Sequence, residues 1–215
     1  MCIRDSAKAA LAREWLGNAR AEAARLDLGT ANRAILELLT SRVAEIEGDL
    51  PGALAATDRG LAIAGACRDP DCRLAGMELR SAQTIYLASA GQTAASLAVA
   101  RQVLAERAAL YGDDAGEPIT DLFNVGLAEL DLGQLDAGLA SLARARAIAE
   151  AQVPHDTPLY AIALWNHALA IGRRDPRAAR PVFDQALAII ERVEGHDSDD
   201  AEELRADRAR WSRVR

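Results

Sequence analysis

Three glycines open the same short phrase at nearly constant spacing. The stretches Gly48-Asp-Leu50-Pro-Gly-Ala53-Leu54, Gly91-Gln-Thr93-Ala-Ala-Ser96-Leu97 and Gly133-Gln-Leu135-Asp-Ala-Gly138-Leu139 each run from glycine to a small residue followed by leucine. From Gly48 to Gly91 and from Gly91 to Gly133 the steps differ by a single position. A fixed period of this size, about 42 residues, marks an array of like units, each packing on its neighbours. Between the glycines apolar residues recur three or four apart, the spacing of one helix face. The expected architecture is therefore a helical-repeat array, an all-α solenoid of antiparallel helix hairpins.

Composition agrees. Of 215 residues half are apolar but only eight are aromatic. Chains rich in alanine and leucine suit closely approaching helices better than sheets built on branched and aromatic pairs. Lys8 is the only lysine among 25 basic residues, a bias expected of a GC-rich bacterial genome. The net charge of −7 is spread over mixed-sign helices without a basic block, which argues against a nucleic-acid surface. No apolar run reaches the roughly 18 residues that span a bilayer, so no membrane partner is expected. Cys2, Cys67 and Cys72 are too few for a disulfide framework and poorly spaced for zinc. They read as idle or buried thiols of a cytoplasmic chain. His155 and His196 fall in expected loops and His167 has no ligand-spaced neighbour, so neither metal nor cofactor is indicated. Phosphate-binding glycine loops and nucleophile elbows are absent. The reading is non-enzymatic.

The head, residues 1–6, resembles the in-frame translation of a transposase end sequence used in DNA sequencing, and is expected to be non-native. Residues 7–28 then read as an unpaired helix of a preceding repeat, ended near Asp27-Leu28-Gly29. Four hairpins follow at about 29–68, 69–113, 117–153 and 156–195. Thr30 is placed to cap the first, Pro51 and Pro70 to start helices, and Asp175 to cap the helix that Pro176 begins. Gly112 to Pro118 is a polar break. Residues 198–215 read as a capping helix. Its acids, Asp199, Asp200, Glu202 and Glu203, lie in the first turn and its arginines, Arg208, Arg210, Arg213 and Arg215, towards the end, with Leu204 and Trp211 on the buried face.

The third hairpin carries the most specific pattern. Leu122-Phe-Asn124-Val-Gly126-Leu-Ala128, followed by Gly133, Leu135, Gly138, Leu142 and Ala145, resembles the tetratricopeptide repeat (TPR) signature. Small residues at Gly126, Ala128, Gly138 and Ala145 are what two closely packed antiparallel helices require. Asn124 recurs as Asn166 one period later, and Leu142 recurs as Phe183 one position short of a period. That lengthened period resembles the kinesin-light-chain type. The other hairpins depart, with Ser41 and Val43, then Thr84 and Tyr86, where Gly126 and Ala128 stand.

The resemblance implies a right-handed solenoid whose first helices line a concave groove. It also implies that Asn124 and Asn166 point there, where an amide's donor and acceptor can pair with a ligand backbone. Phe123, Leu127 and Asp131, with Trp165, Leu169 and Arg173, fall on or beside the same faces. Trp165 is the expected anchor. Lysines that clamp C-terminal carboxylates in some TPR proteins are missing. The function expected is a protein-interaction scaffold for a peptide or partner helix, within a larger bacterial signalling protein such as a Ser/Thr kinase. The alternative is the ligand-sensing arm of a transcription regulator.

Overall fold

The computed structural model describes residues 3–26, 28–112 and 118–212. Cys2, the expected stop at Asp27, most of the break after Gly112, and Arg213 and Arg215 lie outside them. The described residues form ten helices and no strand. They are α1 (Ile3–Arg25), α2 (Thr30–Ile46), α3 (Leu50–Gly65), α4 (Pro70–Ser89), α5 (Thr93–Tyr111), α6 (Ile119–Asp131), α7 (Leu135–Gln152), α8 (Pro158–Arg174), α9 (Pro176–Val193) and α10 (Asp199–Ser212).

The three glycine phrases are one structural device. Gly48, Gly91 and Gly133 have φ of 76°, 72° and 74°, the left-handed region that side chains disfavour. Each N–H donates to the carbonyl three residues back, and the next N–H reaches five back. At the first turn Gly48 donates to Glu45 at 2.9 Å and Asp49 to Ala44 at 2.8 Å. The same pair joins Gly91 to Ala88 and Gln92 to Leu87, then Gly133 to Leu130 and Gln134 to Glu129. These paired hydrogen bonds satisfy carbonyls that a helix end leaves without partners. They also turn the chain sharply enough for the next helix to run back.

The fourth hairpin closes differently. Asp175 ends α8 and also caps α9, its carboxylate accepting from the N–H groups of Arg177 (2.9 Å) and Ala178 (3.3 Å). One residue does the work of Gly133 and Gln134 together. That accounts for the step from Leu142 to Phe183 being one position shorter than the step from Asn124 to Asn166. Thr30, expected as a cap, is instead the first residue of α2 behind Gly29, which makes no side-chain cap. Asp49 supplies the cap at α3, accepting from Gly52 N–H at 3.0 Å.

The chain divides into two compact units, residues 1–99 and 100–215, with α5 contributing to both. In the first unit α1 packs on α2, α2 on α3, and α4 on both α2 and α3. Its core is built from small residues, Ala34, Ala64 and Ala75 around Leu79, and Ala44, Ala53 and Ala82 around Tyr86. In the second unit α6 packs on α7, α7 on α8, α8 on α9 and α9 on α10, while α6 touches α8 and α8 touches α10. One continuous core joins these helices, with Leu142, Leu164, Phe183 and Leu204 fully buried. The acids Asp199, Asp200 and Glu202 occupy the first turn of α10 and Arg210 its last, as a helix dipole favours.

Close approach explains the small residues of the third hairpin. A Cβ on Gly126 would lie 2.5 Å from Cγ of Leu142, and one on Gly138 would lie 2.7 Å from Leu130 and 2.9 Å from the Gly126 carbonyl oxygen. All three distances are well inside ordinary van der Waals contact. The glycines therefore let α6 and α7 approach with a leucine from each filling the seam.

Candidate functional site

The first helices of successive hairpins, α6 and α8, lie side by side in the second unit, and α10 continues the row beyond α8. Residues one period apart on α6 and α8 therefore come to equivalent places, and the eight residues expected at the groove sort into three groups.

Asn124 and Leu127 on α6, and Leu169 on α8, are half-buried, while Asn166 is 8% exposed. Neither asparagine amide pairs with another described residue. Neither amide is among the buried polar atoms left without a partner, so both still reach solvent, and a ligand that pairs with them exchanges a water hydrogen bond for its own. Asp131 and Arg173 are exposed but joined across the two helices. Arg173 Nη2 donates to Asp131 Oδ1 at 2.9 Å, and Nη1 to the Leu130 carbonyl at 3.2 Å. Phe123 and Trp165 lie in the core, 5% and 9% exposed. The Trp165 indole N–H donates to Asp207 Oδ2 on α10 at 3.0 Å. The ring thus forms the support beneath the face and ties α10 to α8.

Beneath this face run buried charges that periodicity does not reveal. Glu129 on α6, 4% exposed, accepts from Ser141 Oγ at 2.7 Å and from Arg101 Nη2 at 2.9 Å. Asp121, also buried, accepts from Arg107 Nε at 2.6 Å. Each pair reaches from α6 back to α5, and Ser141 adds α7. The sequence signal was present in the placement of acids within an apolar stripe, since a charge at a core position must find a partner. His167 on α8 lies 3.3 Å from Arg146 Nη1 on α7. Burial, with the Arg146 charge adding to it, lowers the His167 pKa. Arg146 therefore donates to a neutral imidazole.

The chemistry on offer is recognition. Two amides provide donors and acceptors at a regular interval, two leucines provide apolar contact, and an ion pair closes one end. Among the described residues no three His, Cys, Asp or Glu side chains converge as metal ligands do, and no helix is long and apolar enough to cross a membrane.

By sequence the chain matches no protein-family profile and no curated protein. Structural comparison is informative. The chain is similar to BtubC (BKLC) from P. vanneervenii, with a TM-score of 0.70 and 16% identity, over 96% of this chain and 82% of that one. It is also similar to a putative kinesin light chain from Podosopora anserina with nearly identical TPR-like repeats. Two structures of that protein align with TM-scores of 0.67 and 0.66 at 16% identity, covering 86% and 85% of this chain and 87% and 86% of theirs. Helix hairpins, glycine turns and the regular period thus converge on one conclusion: the chain has the all-α fold of TPR-like repeats, of the kind seen in kinesin light chains.

Proposed function

We propose that the chain is a non-enzymatic interaction module that holds an extended peptide of a protein partner across the first helices α6 and α8. The observation that carries this reading is the pair Asn124 and Asn166. They stand one period apart on adjacent helices, and the more buried of the two has no partner among the described residues. Amides at a fixed interval suit a peptide backbone, which offers a carbonyl and an N–H at every residue. Leu127 and Leu169, one turn further along each helix, give a neighbouring apolar stripe for the ligand's side chains. Asp131 and Arg173 close the end of the face, and Phe123 and Trp165 hold its helices in place from below. Such recognition is largely indifferent to ligand sequence, so selectivity rests on the leucine stripe and on the charges at the rim.

The same proposal places the module in a larger bacterial signalling protein, such as a Ser/Thr kinase, and in a cytoplasmic setting. Two features support it, the near-exclusive use of arginine over lysine and the TPR-like fold. The test is selection from a random peptide display library, followed by fluorescence anisotropy on the best binder. At about 0.5–1.5 kcal/mol per hydrogen bond, Asn124→Ala with Asn166→Ala weakens binding by about 1–3 kcal/mol, some 5- to 150-fold. Unchanged affinity in a folded double variant would reject the site.

A further inference from the structure

Cys72 is buried, as one of the two expectations had it, but neither Cys67 nor Cys72 is a free thiol. Cys67 and Cys72 are joined by a disulfide, with their Cα atoms 6.0 Å apart. The local chain explains the pairing. α3 ends at Gly65, Ala66 closes it, and Cys67 begins the connection to α4. Pro70 then starts α4 immediately, and the first helical turn carries Cys72 back over that connection. The bond closes a ring across the α3–α4 junction and fastens the start of α4 to the end of α3. Both cysteines also line a cleft of about 370 Å³ between the start of α2 and the start of α4, which Thr30, Asn32, Ile35 and Leu74 line as well. The two residues differ in access. Cys72 is 1% exposed, whereas Cys67 is only half-buried and keeps some contact with solvent.

We propose that Cys67 and Cys72 are a reversible thiol–disulfide pair, exchanging with low-molecular-weight dithiols or disulfides, whose state sets how firmly α4 walls this cleft. The chemistry follows from access. In reduction a thiolate of the external dithiol attacks Cys67 Sγ, forming a mixed disulfide while the Cys67–Cys72 bond breaks. Cys72 leaves as a thiolate in the first turn of α4, where free N–H groups favour it, and then takes a proton from water. The second thiolate of the dithiol attacks the external sulfur of the mixed disulfide and releases Cys67. The pair gains two electrons and two protons, and the external dithiol becomes a disulfide. Oxidation runs the same steps backwards with a small disulfide as oxidant. With the bond open, only the helix-start contacts hold the first turn of α4, and the cleft wall loosens. This inference lies in the first unit and stands apart from the peptide site on α6 and α8.

The experiment uses the full chain with Cys2→Ser, which removes the third thiol. Protein equilibrated in dithiothreitol buffers of graded redox ratio is alkylated and analysed by mass spectrometry, and amide exchange is followed across residues 28–35 and 67–78. Cys67 and Cys72 should change state together in one two-electron step. Exchange at both segments should quicken on reduction by up to about 30-fold, the loop-closure effect of a ring this short. The variant Cys67→Ser, Cys72→Ser should show the fast pattern in either buffer. Thiols that remain free under oxidising buffer, or exchange that is the same in both states, would overturn the proposal.

Discussion

Gly126 offers the sharpest test of how the hairpins pack. Replacing it with alanine has two opposed effects. Alanine is about 1 kcal/mol better than glycine inside a helix. The new Cβ, however, would sit 2.5 Å from Cγ and 2.8 Å from Cδ2 of Leu142, which is fully buried. Because Cγ lies near the backbone rather than at the tip of a flexible chain, Leu142 cannot swing aside, and the upper part of the range of about 1–3 kcal/mol for overpacking applies. The clash wins by about 1–2 kcal/mol. With a urea dependence of about 2 kcal/mol per molar, the midpoint should fall by about 0.5–1 M. Leu142→Ala alone should cost about 2–5 kcal/mol through the cavity it leaves. The double variant should cost less than the sum, since the new methyl enters the vacated space, with a coupling of about 0.5–3 kcal/mol. Circular dichroism against urea for the four proteins reads all of this. A Gly126→Ala midpoint at or above that of the parent, or strictly additive costs, would refute the packing argument.

Gly133→Ala isolates the turn. Nothing lies within 4 Å of the added Cβ, so the expected loss of about 1–2 kcal/mol comes from φ of 74° alone, and Gly133→Asn should lose less. Asp121→Ala removes the buried carboxylate to which the half-buried Arg107 donates and should cost about 1.5–3 kcal/mol by chemical denaturation. His167 has a folded pKa below its unfolded value, so the unfolded chain binds the extra proton. Its contribution to stability is present above about pH 6.5 and is lost as pH falls through the lowered folded value. His167→Gln should flatten that part of a stability profile measured from about pH 7 to 5. Pro181 sits inside α9, where it removes a backbone donor. Pro181→Ala should raise the denaturation midpoint, by on the order of 1–3 kcal/mol in stability.

Hairpin organisation was legible because it rests on backbone rules that leave marks in single residues. A positive φ calls for glycine, a helix start tolerates proline, and a close crossing demands a residue without bulk, as at Gly48, Pro70 and Gly126. Contacts between helices leave no such mark. The Asp207 partner of Trp165 lies on a different helix and looks like any surface acid. The bonds of Glu129 to Arg101 and Ser141 depend on where three helices meet. Cys67 and Cys72 looked unpaired because pairing depends on how tightly α4 starts after α3. At the peptide face the spacing of Asn124 and Asn166 was readable, but whether their amides had partners depended on every neighbouring side chain.

The central claim is that the amides of Asn124 and Asn166 pair with a ligand's backbone. It is tested most directly by following their side-chain NH2 signals in a nitrogen-edited NMR titration with the selected peptide. Single Asn→Gln variants would assign the signals. The account predicts that both pairs of signals shift together along the binding curve, and that a peptide N-methylated at the contacting residues fails to shift them and binds at least about 5-fold more weakly. Saturation of binding with both sets of signals unmoved would contradict it.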